Sequence, residues 1–401
     1  MVPIRPIALA CGIALGLGLA QQRPAPVAST GLIVGQVVDA VSGAGVPGAL
    51  VTIGTYAAPV PATAQLVDMN FGAPAPQNAR RILTTESGRF LFRDLPAGRY
   101  EITVSGPGFA PSIYGQGRPS GPGQFIDLAE GQKLGGVAVR AWKLGVISGT
   151  VVDELGEPAV GVLVRYLRRV IAGGKPRFAT LAAQGSATTD DRGMYRIAGL
   201  PPADYAIGVI FNPSTVPMTV VDANATASES GNPNASDVYR RLQSSVTSTL
   251  GATGFRVGDQ VLQQPTSGAS VLPVPAANGR LMTYQTTFYP AAAAPSQATL
   301  VTLRPGEERA GINLQLRLVP AVRVSGRITG PDGPGSFLGM TLVASTGGDY
   351  QSEGVAEAAS GVSDATGAFT FLGIPPGEYV LKIRMYPRPV PTPATITLTT
   401  D

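Results

Sequence analysis

Apolar and polar side chains alternate in many short stretches of this chain. Tyr100, Ile102 and Val104 alternate with Glu101, Thr103 and Ser105. Tyr205, Ile207 and Val209 repeat the pattern, as do Tyr379, Leu381 and Ile383 against Val380, Lys382 and Arg384. A period of two puts every second side chain on one face, so each stretch predicts a strand with one buried and one wet face. Just upstream of each lies another pair of the same parity: Phe90 and Phe92, Tyr195 and Ile197, Phe369 and Phe371. The pattern places Phe92, Tyr100, Ile102, Ile197, Tyr205, Ile207, Phe371, Tyr379 and Leu381 in three separate cores.

These strands belong to a strand–turn–strand unit that occurs three times, starting at Thr84, Thr189 and Ser363 and ending at Tyr100, Tyr205 and Tyr379. Asp190 and Asp364 precede Gly193 and Gly367 by three residues. Asp suits the first place of a type I turn, and Gly the left-handed place that closes a bulged hairpin. A second turn follows at Pro96, Pro201 and Pro375. Gly98 and Gly377 there are expected at positive φ in type II turns, whereas Ala203 demands a type I turn or a register shift.

Each copy opens on a glycine-containing strand around Gly35, Gly149 or Gly326. The first two copies end with a strand before Gly131 or Gly306 and a closing strand, Val137 to Arg140 or Ile312 to Leu316. In the third copy Ala394 to Thr399 matches the penultimate strand, and no counterpart of the closing strand follows. An unpaired edge is expected there, either because the sequence is a fragment of a longer protein or because a partner supplies the strand. Three repeats of one small unit predict three all-β sandwiches, 31–142, 143–319 and 320–401, joined by short linkers into a stiff rod. A Pro/Ala-rich excursion (57–79) interrupts the first and a Ser/Thr/Asn-rich insertion (212–281) the second. The insertion reads as a mobile loop or as a binding loop on a rigid scaffold.

Composition narrows the setting. Residues 1–20 read as an export signal: Arg5, an apolar run from Ile7, and small residues up to Ala20. Residues 21–30 form a Pro/Ala-rich leader. Cys11, the one cysteine, lies inside the signal, so the mature chain has no thiol. The net charge is +4 and the basic residues are scattered, which excludes a nucleic-acid footprint. No later segment approaches the roughly 20 apolar residues of a spanning helix. A secreted, periplasmic or cell-surface protein is expected.

The opening Gly-x-Val-x-Asp strand at Gly35 and Gly149, the Gly-x-Phe-x-Phe strand at Gly88 and Gly367, and the Leu/Ile-Pro-x-Gly-x-Tyr turn at Leu95 and Ile374 resemble the carboxypeptidase regulatory-like domain. That family is a transthyretin-like (prealbumin-like) sandwich related to the Cna-B surface modules. The resemblance implies an all-β fold of three tandem prealbumin-like/Cna-B-like sandwiches. It also implies a bacterial envelope setting, beside peptidases, glycan-active enzymes or outer-membrane receptors, and a module that is not itself catalytic. Some relatives fall among carbohydrate-binding-like folds. Cna-B relatives carry a Lys–Asn crosslink, but the strands at Gly35 and Gly149 contain no lysine.

The chain has no histidine, which removes the usual general base and metal ligand. Its adjacent carboxylates, Asp190 with Asp191, Asp153 with Glu154 and Glu307 with Glu308, fall in predicted turns where neighbouring side chains diverge. No enzymatic activity, cofactor or metal is expected. Two aromatic pairs stand outside the buried parity: Phe109 with Tyr114, and Phe288 with Tyr289. They are the candidate ligand contacts. Trp142 is placed at the junction of the first two sandwiches as a wedge. The reading is a secreted envelope spacer, adhesive or interaction module whose partner is a polysaccharide or an envelope protein. The alternatives are a carbohydrate-binding protein or the accessory N-terminal part of a larger secreted enzyme or receptor.

Overall fold

The computed structural model describes residues 30–55, 77–172, 174–179, 186–222, 254–263, 274–275, 281–331, 333–345 and 357–384. The expected export signal, the leader, most of the excursion and the strand expected at 394–399 lie outside the described residues.

The first stretch forms β1 (Gly31–Asp39), β2 (Leu50–Thr55), β3 (Gln77–Leu83), β4 (Arg89–Leu95), β5 (Gly98–Gly106), β6 (Phe109–Ile113), β7 (Ile126–Leu128) and β8 (Lys133–Ala141). One sheet has the order β4-β1-β8, with β8 parallel to β1. The other has the order β3-β2-β5-β6, with β7 also on β5. Ile33, Val37, Val51, Phe92, Ile102 and Val139 fill the space between them.

The next stretch forms β9 (Gly145–Val152), β10 (Leu163–Ala172), β11 (Lys175–Ala179), β12 (Ser186–Thr188), β13 (Met194–Leu200), β14 (Ala203–Val209), β15 (Ser214–Pro217), β16 (Gly254–Val257), β17 (Gln260–Gln263), β18 (Val274–Pro275), β19 (Leu281–Tyr284), β20 (Thr287–Phe288), β21 (Val301–Leu303), β22 (Glu308–Arg309), β23 (Leu314–Gln315) and β24 (Leu318–Pro320). It repeats the plan. β9 lies between β13 and the parallel segments β22 and β23, and faces a sheet built on β10 and β14. The last stretch forms β25 (Val322–Arg327), β26 (Thr329–Gly330), β27 (Gly333–Pro334), β28 (Gly339–Ala344), β29 (Glu357–Val362), β30 (Ala368–Ile374) and β31 (Tyr379–Arg384). Here β25 pairs with β30, across a third core from β29-β28-β31. Among the described residues β25 has no parallel neighbour like β8.

The repeated signature has a physical account at each place. Its first residue is a buried hydroxyl that ties two segments together. Thr84 Oγ1 donates to Val46 O and accepts from Ala49 N. Thr189 does the same between Ala159 and Val162, and Ser363 between Gly335 and Leu338. Asp190 Oδ1 accepts from the amides of Arg192 and Met194, and Asp364 Oδ1 from those of Thr366 and Ala368. The hairpin glycines Gly88, Gly193 and Gly367 take φ of 76°, 69° and 80°. Opposite the aromatic that follows lies the opening-strand glycine: Gly35 pairs with Phe90, Gly149 with Tyr195 and Gly326 with Phe369. A Cβ on Gly35 would sit 2.3 Å from the Phe90 ring, so the ring needs a bare backbone beneath it.

The expectation for the proline turns is corrected. Gly98 and Gly377 are not at positive φ, and Ala203 is no exception among them. The left-handed residue lies earlier, at Asp94 (φ 55°), Gly199 (76°) and Gly373 (73°). There the strand carries one extra residue against its partner: Ile33 faces Phe92 but Gly31 faces Leu95. The same slip falls between Ala198 and Leu200, and opposite Val322 and Val324. This bulge redirects the chain. The proline carbonyl then accepts the hydroxyl of the tyrosine four residues on, Tyr100 to Pro96 at 2.7 Å, Tyr379 to Pro375 at 2.7 Å, and Tyr205 to Pro201. Because the bulge has already made the reversal, the residue after the proline turn keeps an ordinary φ, and alanine fits.

The buried parity holds for Phe92, Tyr100, Ile102, Ile197, Tyr205, Ile207, Phe371 and Leu381, each at most 4% exposed. Tyr379 packs on the third core but stays half-buried. The wet face expected of the Tyr205 strand is absent: Ala206 is fully buried. Phe288, Ala292, Ala298 and Leu300 fold over that side with Leu167, Phe178 and Ile210. The sheet is thus covered on both faces.

Candidate functional site

The second and third cores meet along a cleft of about 190 Å³. One wall comes from Phe211, Gln285, Thr286, Phe288 and 293–295; the other from Ala344, Glu357, Ala358 and 375–379. The first wall is rigid for local reasons. Phe211 stacks on Tyr284 with ring centroids 5.4 Å apart, and its amide donates to Thr286 Oγ1 at 3.1 Å. Tyr284 donates its hydroxyl to Glu154 at 3.0 Å. Burial first, then that bond and the Glu154 and Asp153 charges, push the Tyr284 hydroxyl up to about 12.

The second wall hangs on the bulged turn. Tyr379 points its hydroxyl back to Pro375, and burial pushes its ionisation up to about 12. Glu378 accepts from Ser345 Oγ at 3.2 Å. Burial lowers the Arg165 ionisation, and the charge of Glu357, on the second wall, opposes that shift. The lining is therefore mainly apolar and aromatic, with carboxylates and an amide at its edges, which suits a binding site. It holds no nucleophile with an adjacent base. Among the described residues no cluster of three or more carboxylates could hold a metal.

The four candidate aromatics do not form one site. Phe109 and Tyr114 pack, half-buried, on the first core. Phe288 is 1% exposed and backs the cleft. Tyr289 turns away and packs on the second core. Most of the adjacent carboxylates are turn residues, Asp153 Oδ1 accepting from the amides of Leu155 and Glu157 and Glu307 Oε2 from that of Arg304, but Glu308 lies in β22 and reaches Arg196 at 3.4 Å. Sequence reasoning missed Phe211, Gln285, Thr286, Glu357 and Glu378, since long-range pairing alone makes them neighbours.

At the first junction Trp142 is 6% exposed and its carbonyl accepts from Ala110 N at 2.8 Å, while Leu144 N donates to Gly108 O at 2.8 Å. Lys143 reaches Asp39 at 3.2 Å. The linker is stitched to both sandwiches, since Lys143 O also accepts from Gly306 N at 3.2 Å.

The family model that matches is the carboxypeptidase regulatory-like domain, over residues 32–133. The match takes in most of the first sandwich. No curated protein matches the chain. Similar solved structures include the Bacillus anthracis TIE protein, 13% identical, covering 92% of this chain at a TM-score of 0.21. This chain spans about half of that one, 48%. GBS52, the minor pilin of Streptococcus agalactiae, is 13% identical and covers 74% of this chain and 99% of its own at 0.30. A streptococcal ancillary pilin is 11% identical, covering 93% and 96% at 0.23. No helix among the described residues is long and apolar enough to cross a membrane.

Proposed function

We propose that this protein is a non-enzymatic spacer and adhesive module of the bacterial cell surface. It is exported by residues 1–20 and built as tandem sandwiches over 31–142, 143–319 and 320–401. The observation that carries this reading is the cleft between the second and third cores. It is apolar, walled by both, and lined by no catalytic pairing. Stitched linkers hold the sandwiches in fixed relation, which suits a spacer. The partner is an envelope protein or a polysaccharide. One observation favours the carbohydrate-binding reading: the half-buried Tyr379 ring lines the cleft, and aromatic faces are what sugars stack on.

The test is retention of the mature chain on peptidoglycan, on purified polysaccharides and on envelope proteins, beside an Ala293→Trp variant. Ala293 is exposed at the cleft, so a bulky ring there fills it without touching a core. Retention lost in the variant supports the cleft. Retention by neither protein on any of these materials overturns the adhesive reading.

A further inference from the structure

We infer that β15 is an in-chain donor strand: the described part of the insertion extends the sheet of the third sandwich and makes it one cooperative unit with the second. The six-stranded sheet runs β16-β17-β15-β29-β28-β31, so three strands of the insertion extend three strands of the third sandwich. β15 lies parallel to β29, Ser214 opposite Ser360 and Thr215 opposite Gly361. Ser360 N donates to Pro213 O at 3.0 Å. From the facing sheet Leu372 N donates to Thr215 Oγ1 at 3.0 Å, so the donor strand, paired to β29 by its backbone, is tied to the other layer by a side chain. Ser214, Thr215 and Val216 are each at most 2% exposed, and Val216 packs with Val220 and Val362.

The receiving edge is built for this. β3 holds the same place in the first sandwich, and it carries Arg80 and Arg81. Edge charges of that kind repel added strands. β29 instead reads Glu-Ala-Ala-Ser-Gly-Val. At Gly361 a Cβ would stand 3.2 Å from Thr215 O and 3.0 Å from the Phe371 ring, so glycine opens the path for the donor. Only Ile210 to Pro213 separate β14 from β15, so the donor strand cannot leave its seat without pulling on the second core. A second pair, β19 with β24, adds a further tie: Ala321 N donates to Leu281 O at 2.8 Å. That tie is antiparallel to its neighbour and fixes the start of the third sandwich against the same insertion.

The experiment is native-state hydrogen exchange on the mature full-length chain as denaturant is raised. Wild-type amides of Ser360 and Leu372 should open together with core amides of the second sandwich such as Ile197, with the same denaturant dependence. Thr215→Val keeps the shape and removes the acceptor, so Leu372 should exchange about tenfold faster while Thr215→Ser leaves it unchanged. Val216→Asp should detach the donor, giving two separate openings, the third sandwich first. If the wild-type third sandwich opens alone at lower denaturant, or if Thr215→Val leaves Leu372 protected, the inference is wrong. Neither result depends on ligand binding, so failure here is distinct from failure of the adhesive reading.

Discussion

Removing one hydroxyl from Tyr205 tests the bulge-and-tyrosine corner that all three repeats share. Tyr205 is fully buried, donates to Pro201 O, and meets Tyr166 edge-on at 5.3 Å between centroids. In Tyr205→Phe the ring contact stays, one hydrogen bond goes, and the Pro201 carbonyl is left without this donor. A net bond of about 1 kcal/mol plus the cost of an unsatisfied acceptor gives a loss of roughly 1–3 kcal/mol. Tyr205→Ala also loses the ring and should cost roughly 3–5 kcal/mol. The half-buried Tyr379 has water within reach of its corner, so Tyr379→Phe should fall near 0.5 kcal/mol, the low end for a hydrogen bond at roughly 25 °C. Urea unfolding followed by the lone Trp142 and by circular dichroism would give the midpoints, at unchanged slope. A neutral Tyr205→Phe, or one as costly as Tyr205→Ala, would refute the corner as a hydrogen-bonded device.

Further outcomes are expected. Gly193→Ala should cost about 1–3 kcal/mol, because φ is 69° and the new Cβ would lie 2.4 Å from Val151 O. Gly98→Ala should shift stability by no more than about 0.5 kcal/mol, since the nearest atom to its Cβ is 3.8 Å away; thermal melts of both variants decide. Burial pushes the Asp39 carboxyl up, but the Ser42 and Val41 amides and Lys143 outweigh it and hold it below the usual value of 3.8. Its stabilisation is therefore complete above that value and fades as pH falls through the lower, folded one; acid titration of Asp39→Asn should show a shallower loss. Tyr284 and Tyr379 sit near 12, above the ordinary 10, so the unfolded chain ionises first and stability should fall as pH climbs from 10 towards 12. Tyr284→Phe with Tyr379→Phe should blunt that alkaline loss in urea midpoints.

The strands, the hairpins and most of the core were legible because period-two alternation and turn residues are local signals. Tyr100, Tyr205 and their neighbours announce their faces within a few residues. The proline turn was misread because Gly98 and Gly377 suggested a left-handed position, while the residue that takes it, Asp94 in one copy, is seldom a marker of one. The second sheet's covered face was missed because its lid, around Phe288 to Leu300, is far from β14 in sequence. The cleft was illegible for the same reason: Glu357 faces Arg165 only once β15 has joined β29. Aromatic residues alone, Phe109, Tyr114, Phe288 and Tyr289, carry no sign of whether a ring points out or in.

In the first sandwich β8 runs parallel to β1, side by side over Leu32 to Asp39. The chain therefore enters at one pole and departs at the opposite one. Had the closing strand been antiparallel, entry and exit would share a pole and each repeat would hang sideways from the last. With parallel ends, the first sandwich moves the chain forward by about the length of nine residues in a strand, roughly 30 Å. The first sandwich thus hands the chain on, through Trp142 to Leu144, at the pole opposite Gly31.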